Sequence, residues 1–170
     1  MPQRRPLAPL DPPQLERLAL AYVERFATST EKLRRYLRRK IRERGFEGAA
    51  PEAVQGLLEK FVRLGYVSDP LFAEMRTRGL RAKGYGDRRI AQALYADGIS
   101  AQLSAAVRQD DDPLAAAHKF ARKRRFGPYG TAELDEALMR RQLAAMARAG
   151  HGFAVANQVL RGSVLGEEEA

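Results

Sequence analysis

The chain contains no cysteine. That excludes disulfides, thiolate metal sites and a cysteine nucleophile, and it suits a reducing cytoplasm. Histidine is scarce: His118 and His151 are the only two, and neither belongs to an HxxxH or HExxH spacing. A histidine metal centre therefore has no support in the sequence. No apolar run approaches membrane-span length, and the apolar residues that follow the basic, proline-rich start are interrupted by Glu16 and Arg17, which argues against a signal peptide. Sustained alternation of apolar and polar residues is missing, so no strand is predicted. Carboxylates are scattered or gathered in the turn Asp110-Asp111-Asp112, where capping accounts for them, and no Ser/His/Asp grouping assembles. The chain is predicted not to be an enzyme and to need no metal or cofactor.

Acidic residues are also in deficit. Against 30 Lys and Arg stand 21 Asp and Glu, giving a net charge of +9 and a sequence pI near 10.2. Such an excess favours an acidic partner, either nucleic acid or an acidic protein surface.

What the sequence does have is a repeat. Gly45, Gly98 and Gly150 are separated by 53 and 52 residues. Each follows a large apolar residue by four positions (Ile41, Leu94, Met146) and precedes a valine by nine (Val54, Val107, Val159). A period of this size is one supersecondary unit copied along the chain, and stacked copies make an elongated body that binds along its surface. The glycines read as helix stops at the C′ position, where a left-handed backbone suits glycine. Leu33, Leu37 and Ile41 form a helical stripe before the first glycine, and Ile90 and Leu94 before the second. In the third copy Gln142 and Met146 occupy the matching positions, helped by Leu138 and Leu143. A further helix precedes each pair, marked by Leu15, Leu18, Tyr22 and Phe26, by Leu71, Phe72 and Met75, and by Leu114, Ala117, Phe120 and Ala121. Thr28 to Glu31 fits a capping box. Ser68-Asp69-Pro70 and Asp112-Pro113 place a capping acid before a first-turn proline, Asp87 reads as a further cap, and Pro51 and Thr131 as weaker starts.

The prediction is an all-α fold of three tandem three-helix repeats forming an elongated, curved body. A flexible tail covers residues 1–13, the repeats cover 14–67, 68–110 and 111–163, and an acidic tail covers 164–170.

Positive charge falls in three runs. The first, on the helix before Gly45, places Arg34, Arg35, Arg38, Arg39 and Arg42 away from the apolar stripe, with Lys40 and Arg44 nearer to it. Only Glu31 and Glu43 offset this run, so it reads as a binding face. The second comprises Arg76, Arg78, Arg81, Lys83, Arg88 and Arg89, threaded through Gly84 and Gly86. Lys83, Arg88 and Arg89 crowd a helix start, which itself favours anions. The third, Arg122-Lys123-Arg124-Arg125, ends a helix, where cations are favourable in their own right. His151 takes the position after the glycine held by Phe46 and Ile99, and reads as a packing residue with a polar edge. No aromatic cluster suited to base stacking is visible.

The stretch Asp69-Pro70-Leu71-Phe72-Ala73-Glu74, then Arg76, then Arg81 through Ile90, then Leu94 and Gly98-Ile99, resembles the central motif of the RecX family. The first repeat resembles that family's opening module through Thr28-Ser29-Thr30-Glu31-Lys32-Leu33 and Arg44-Gly45-Phe46. The resemblance runs from about residue 14 to 162 and departs most in the third repeat, at Gln142 and His151. It implies a regulator of the RecA recombinase that binds in the groove of the RecA–single-stranded DNA filament; the chain itself is expected to be cytoplasmic and monomeric. It implies limits on filament growth, ATP hydrolysis and the DNA-damage response. The alternative is a nonspecific DNA-binding protein that acts alone, meeting phosphates through its basic helices. In either case the basic residues of the three runs are the expected contacts.

Overall fold

The computed structural model describes residues 8–109 and 112–162. Asp110, Asp111 and the acidic tail at 164–170 lie outside the described residues. Among those described there are nine α-helices and one 3-10 turn, with no strand beyond an isolated bridge between Leu10 and Phe46. The helices are α1 (Pro12–Arg25), α2 (Thr30–Arg44), α3 (Ala50–Arg63), α4 (Asp69–Ala82), α5 (Asp87–Ala96), α6 (Ala101–Ala106), α7 (Pro113–Arg124), α8 (Glu136–Arg148) and α9 (Phe153–Arg161). Taken in threes they are the three predicted repeats. Gly45, Gly98 and Gly150 follow α2, α5 and α8 with φ of +82°, +81° and +93°, the left-handed stop read from the sequence.

The chain forms two compact units rather than three. The first holds the chain up to Phe72 together with Asp97–Ile99, and the second holds Ala73–Ala96 together with the chain from Ser100 onward. The middle repeat is thus divided. Its short α6 buries only Ser104, so it supplies little core of its own.

In the first unit, Leu15, Leu33, Leu37, Leu58 and Phe61 close the core. Leu10 joins them with no exposed surface, its N–H donating to Gly45 O at 3.0 Å and its carbonyl accepting from Glu47 N–H at 2.9 Å. Asp11 then caps α1 by accepting from Gln14 N–H at 2.7 Å. The predicted tail is corrected here: from Leu10 the chain is part of the folded unit, because burying a leucine outweighs the freedom its segment gives up. In the second unit, alanines of α7 (Ala117, Ala121) let Phe120, Met139, Met146, Val159 and Leu160 close together.

Several local predictions shift. Leu71 and Met75, two of the residues that mark α4 in the sequence, are both exposed, and the helix buries Phe72, Ala73 and Leu80. Phe26 is exposed, and Ile41 and Val107 are half-buried, whereas Leu94, Met146, Val54 and Val159 are buried. Ser29 is the N-cap of α2, accepting from Lys32 N–H at 3.2 Å, so Glu31 is not the partner in a capping box. Asp69 sends its carboxylate to Thr30 N–H at 2.7 Å and so serves the start of α2, while Ser68 Oγ accepts from Leu71 N–H. Asp112 caps α7 as predicted. The cap of α8 is Asp135, not Thr131.

Candidate functional site

The first basic run lies on α2, a helix of fifteen residues that starts at the Ser29 cap and stops at Gly45. Leu33 and Leu37 anchor its apolar face, which turns the opposite face outward. Arg35, Arg38, Arg39 and Arg42 are exposed there, and with Lys32 they line an open groove of about 570 Å³. Two tyrosines complete the lining, Tyr22 from α1 and Tyr36 from α2, and no carboxylate contributes to it. The tyrosine rings stack with centroids 4.3 Å apart, and Phe26 packs on Tyr22 at 5.2 Å. Cations lie over Tyr36, the Arg39 guanidinium at 5.6 Å and the Lys40 ammonium at 5.9 Å. The aromatic pair is a stiff floor that supports the charged side chains. With Tyr22 stacked on it and two cations over it, Tyr36 has little ring face left for a nucleobase.

Compensation within this run is local. Glu43 pairs with Lys40 at 2.8 Å and with Arg39 at 3.6 Å. The Lys40 ammonium holds the Glu43 carboxyl below its usual range. Lys32 pairs with Asp97 at 3.3 Å and lies over the Phe72 ring. Arg34 departs from its predicted role. It pairs with Glu31 at 3.1 Å, donates to Gln55 Oε1 of α3 at 3.0 Å and does not line the groove. At about 100° per residue it sits at the edge of the basic arc nearest Ile41, facing the neighbouring helix. Arg44 donates to Ala8 O at 3.1 Å.

The second run lies in the second unit and is partly structural. Arg81 pairs with Asp87 across the link between α4 and α5, which gives Asp87 a partner other than the capping role. Arg89 lies over the Tyr85 ring at 5.8 Å, and Arg76, Arg78, Lys83 and Arg88 are exposed. The predicted anion position at the start of α5 is already taken in part: Arg88 N–H donates to Gly150 O at 3.2 Å, and Gly86 N–H to Ala149 O at 2.9 Å. In the third run, Arg122 lies over Tyr129 at 5.3 Å and Arg124 over Phe120 at 5.6 Å. Arg125 ends α7 in the left-handed conformation, and Lys123 is exposed.

The two histidines are packing residues. His151 is buried, lies against Phe120 at 5.6 Å and donates from Nε2 to Gly84 O at 3.0 Å. His118 is half-buried, with Nδ1 2.8 Å from the Tyr129 hydroxyl. Burial holds both below the ordinary imidazole value. Among the described residues no group of His, Asp and Glu could hold a metal, and no helix is long and apolar enough to cross a membrane.

The family model described as RecX, second three-helix domain, matches residues 68–107. The regulatory protein RecX of Myxococcus xanthus is 36% identical over 93% of this chain and 91% of its own length. The chain belongs to the RecX family. A regulatory protein RecX of Agrobacterium fabrum is 34% identical over 84% of this chain and 79% of its length. The fold agrees with that of RecX from Lactobacillus salivarius, at a TM-score of 0.72 and 12% identity, covering 88% of this chain and 94% of that one. A second crystal structure of a regulatory protein RecX aligns at a TM-score of 0.69 and 18% identity, covering 87% of this chain and 70% of that one.

Reading the sequence missed Tyr22, Tyr36 and Lys32 as parts of the groove. Tyr22 is legible only as an apolar-stripe residue of the first helix, and Tyr36 lies beside the Leu33/Leu37/Ile41 stripe of the second. Their position on the edge of each stripe, next to charge, was the available signal. It also missed Arg141 and Arg148 of α8, which share a pocket with Arg124.

Proposed function

We propose that this chain is a non-enzymatic modulator of the RecA recombinase, acting in the cytoplasm as a monomer. In this reading it binds in the groove of the RecA–single-stranded DNA filament and limits filament growth, ATP hydrolysis and the DNA-damage response. Family membership supports the link to RecA. The observation that carries a binding role is the carboxylate-free lining of the α1–α2 groove, where Lys32, Arg35, Arg38, Arg39 and Arg42 present charge to solvent over an aromatic floor. Such a surface suits acidic recombinase residues and DNA phosphates alike, and phosphate contact makes affinity fall with salt through counterion release. Exposed members of the other runs, among them Arg76, Lys83, Arg88 and Lys123, extend the same chemistry. Arg34 and Arg81 are assigned to holding the fold as well as adding charge.

The test is RecA ATPase on single-stranded DNA with increasing amounts of this protein. Inhibition at substoichiometric or stoichiometric ratios is expected, and no effect at any ratio sinks the proposal.

The alternative, a nonspecific DNA-binding protein that acts alone, draws on the same cation density. Helix α2 offers almost only Arg and Lys on its outer face, without the Asn or Gln that read base edges, so backbone contact is the mode it would use. Tight binding to DNA in the absence of RecA, with no effect on RecA, would select it.

A further inference from the structure

The second unit holds a pocket that the three sequence runs do not describe. It has a volume of about 410 Å³ and is walled by Arg124 at the end of α7 and by Arg141, Gln142 and Arg148 of α8, with Phe126 and Leu138 at its sides. Arg141 and Arg148 are seven residues apart, which is two turns, or roughly 10.5 Å along one face of a helix. The residues of α8 that line the pocket between them, Ala144 and Ala145, are small and leave a trough. No carboxylate lines it. Among the described residues none of the three arginines has an ion-pair partner, whereas Arg140, next along α8, is paired with Glu136.

Gln142 makes this more than a solvated patch. It is only 7% exposed and accepts from Gly127 N–H through Oε1 at 2.8 Å. That bond assigns the amide orientation and leaves Nε2 as a donor with no protein acceptor among the described residues. Arg124 is held by its ring contact with Phe120. Three arginines and a hydrogen-bonded glutamine thus line the pocket, and no residue of opposite charge does.

We propose that this pocket binds a phosphate group. A carboxylate presents its two oxygens in one plane and a bidentate arginine occupies one lone pair on each, which leaves the donors of further arginines in other directions poorly matched. A phosphate offers more acceptor oxygens in three dimensions, and it can be gripped from both helices at once. The phosphate could come from a small phosphorylated solute or from the backbone of a nucleic acid. The pocket shares no lining residue with the α1–α2 groove, and the proposal does not depend on the RecA reading.

The experiment is a titration of the full chain without RecA, at constant ionic strength, followed by amide NMR shifts that include Gly127. The probes are inorganic phosphate, pyrophosphate, a short single-stranded oligonucleotide, and acetate as the carboxylate control. Phosphate and pyrophosphate are expected to shift Gly127 saturably, and acetate is not. The Arg141→Gln/Arg148→Gln variant should weaken binding by about tenfold or more, and Arg140→Gln should leave it unchanged, with circular dichroism confirming that both variants fold. Much tighter binding of the oligonucleotide assigns the phosphate to a nucleic-acid backbone; equal or tighter binding of pyrophosphate assigns it to a small solute. An equal response to acetate, no saturation, or equal losses in the two variants overturns the site.

Discussion

Gly86 and Gly150 meet backbone to backbone, so closely that a Cβ on Gly86 would lie 2.5 Å from the Gly150 carbonyl carbon. The contact places the residue after α8 on the start of α5, with Gly86 N–H donating to Ala149 O. The first unit contains the counterpart. There Gly98 lies on the start of α2, where a Cβ on it would overlap the Glu31 Cβ, and the Ser29 hydroxyl donates to Asp97 O. In both cases the residue that caps a helix bonds the carbonyl just before the next repeat's glycine. Gly98 and Gly150 are therefore joints from one repeat to the next as well as helix stops.

Gly150→Ala should destabilise the protein by more than about 2 kcal/mol, because the alanine would need a positive φ and would overlap the Arg89 amide nitrogen. Gly79→Ala, in an α4 position with open space around it, should instead be neutral or stabilise by about 0.5 kcal/mol. Denaturant unfolding of both variants checks the contrast. Equal effects would refute the joint.

Leu10→Ala should cost about 3 kcal/mol, as expected for a fully buried leucine that leaves a cavity. Chemical denaturation measures it. A loss under about 0.5 kcal/mol would return the segment to the status of a tail.

Arg38→Glu/Arg42→Glu should abolish most of the inhibition of RecA ATPase while the helical circular dichroism signal stays unchanged, because both residues line the groove from the exposed face of α2. Arg34→Gln should change inhibition much less, since that side chain serves Glu31 and Gln55. The reverse ranking would move the binding face.

Acidification should destabilise the second unit through His151. Unfolded, the imidazole titrates near its ordinary value of 6.5; folded, burial lowers that value. Between the two values the unfolded chain binds more protons, so stability present above about pH 6.5 is lost as pH falls through the folded value. The melting temperature should drop from pH 7.5 to pH 5.0, and by less in His151→Phe, which keeps an aromatic ring and cannot charge. His118 is shifted the same way by burial and leaves a residual dependence in that variant. Equal slopes in the two proteins would exclude His151.

Much of this was legible in the residues. The helical repeat, its glycine stops, the Asp112 cap and the outward basic face of α2 all follow from local spacing, because helical periodicity and the left-handed stop depend on residues only a few positions apart. The exposure of Leu71 and Met75 was not legible: a stripe of apolar residues states which face could be buried, and only the neighbours decide whether it is. The role of Asp69 was equally hidden, since its acceptor serves Thr30, thirty-nine residues away.

The sequence by itself determined the all-helical class, the three-fold period, the family and the excess of positive charge. Tertiary structure decided which cations share a surface. It joined Tyr22 to Tyr36 under the arginines of α2, drew Arg34 to Gln55 of α3, and brought Arg124 to the arginines of α8. Those outcomes depend on how helices far apart in sequence pack, and packing is set by contacts that no local window of residues contains.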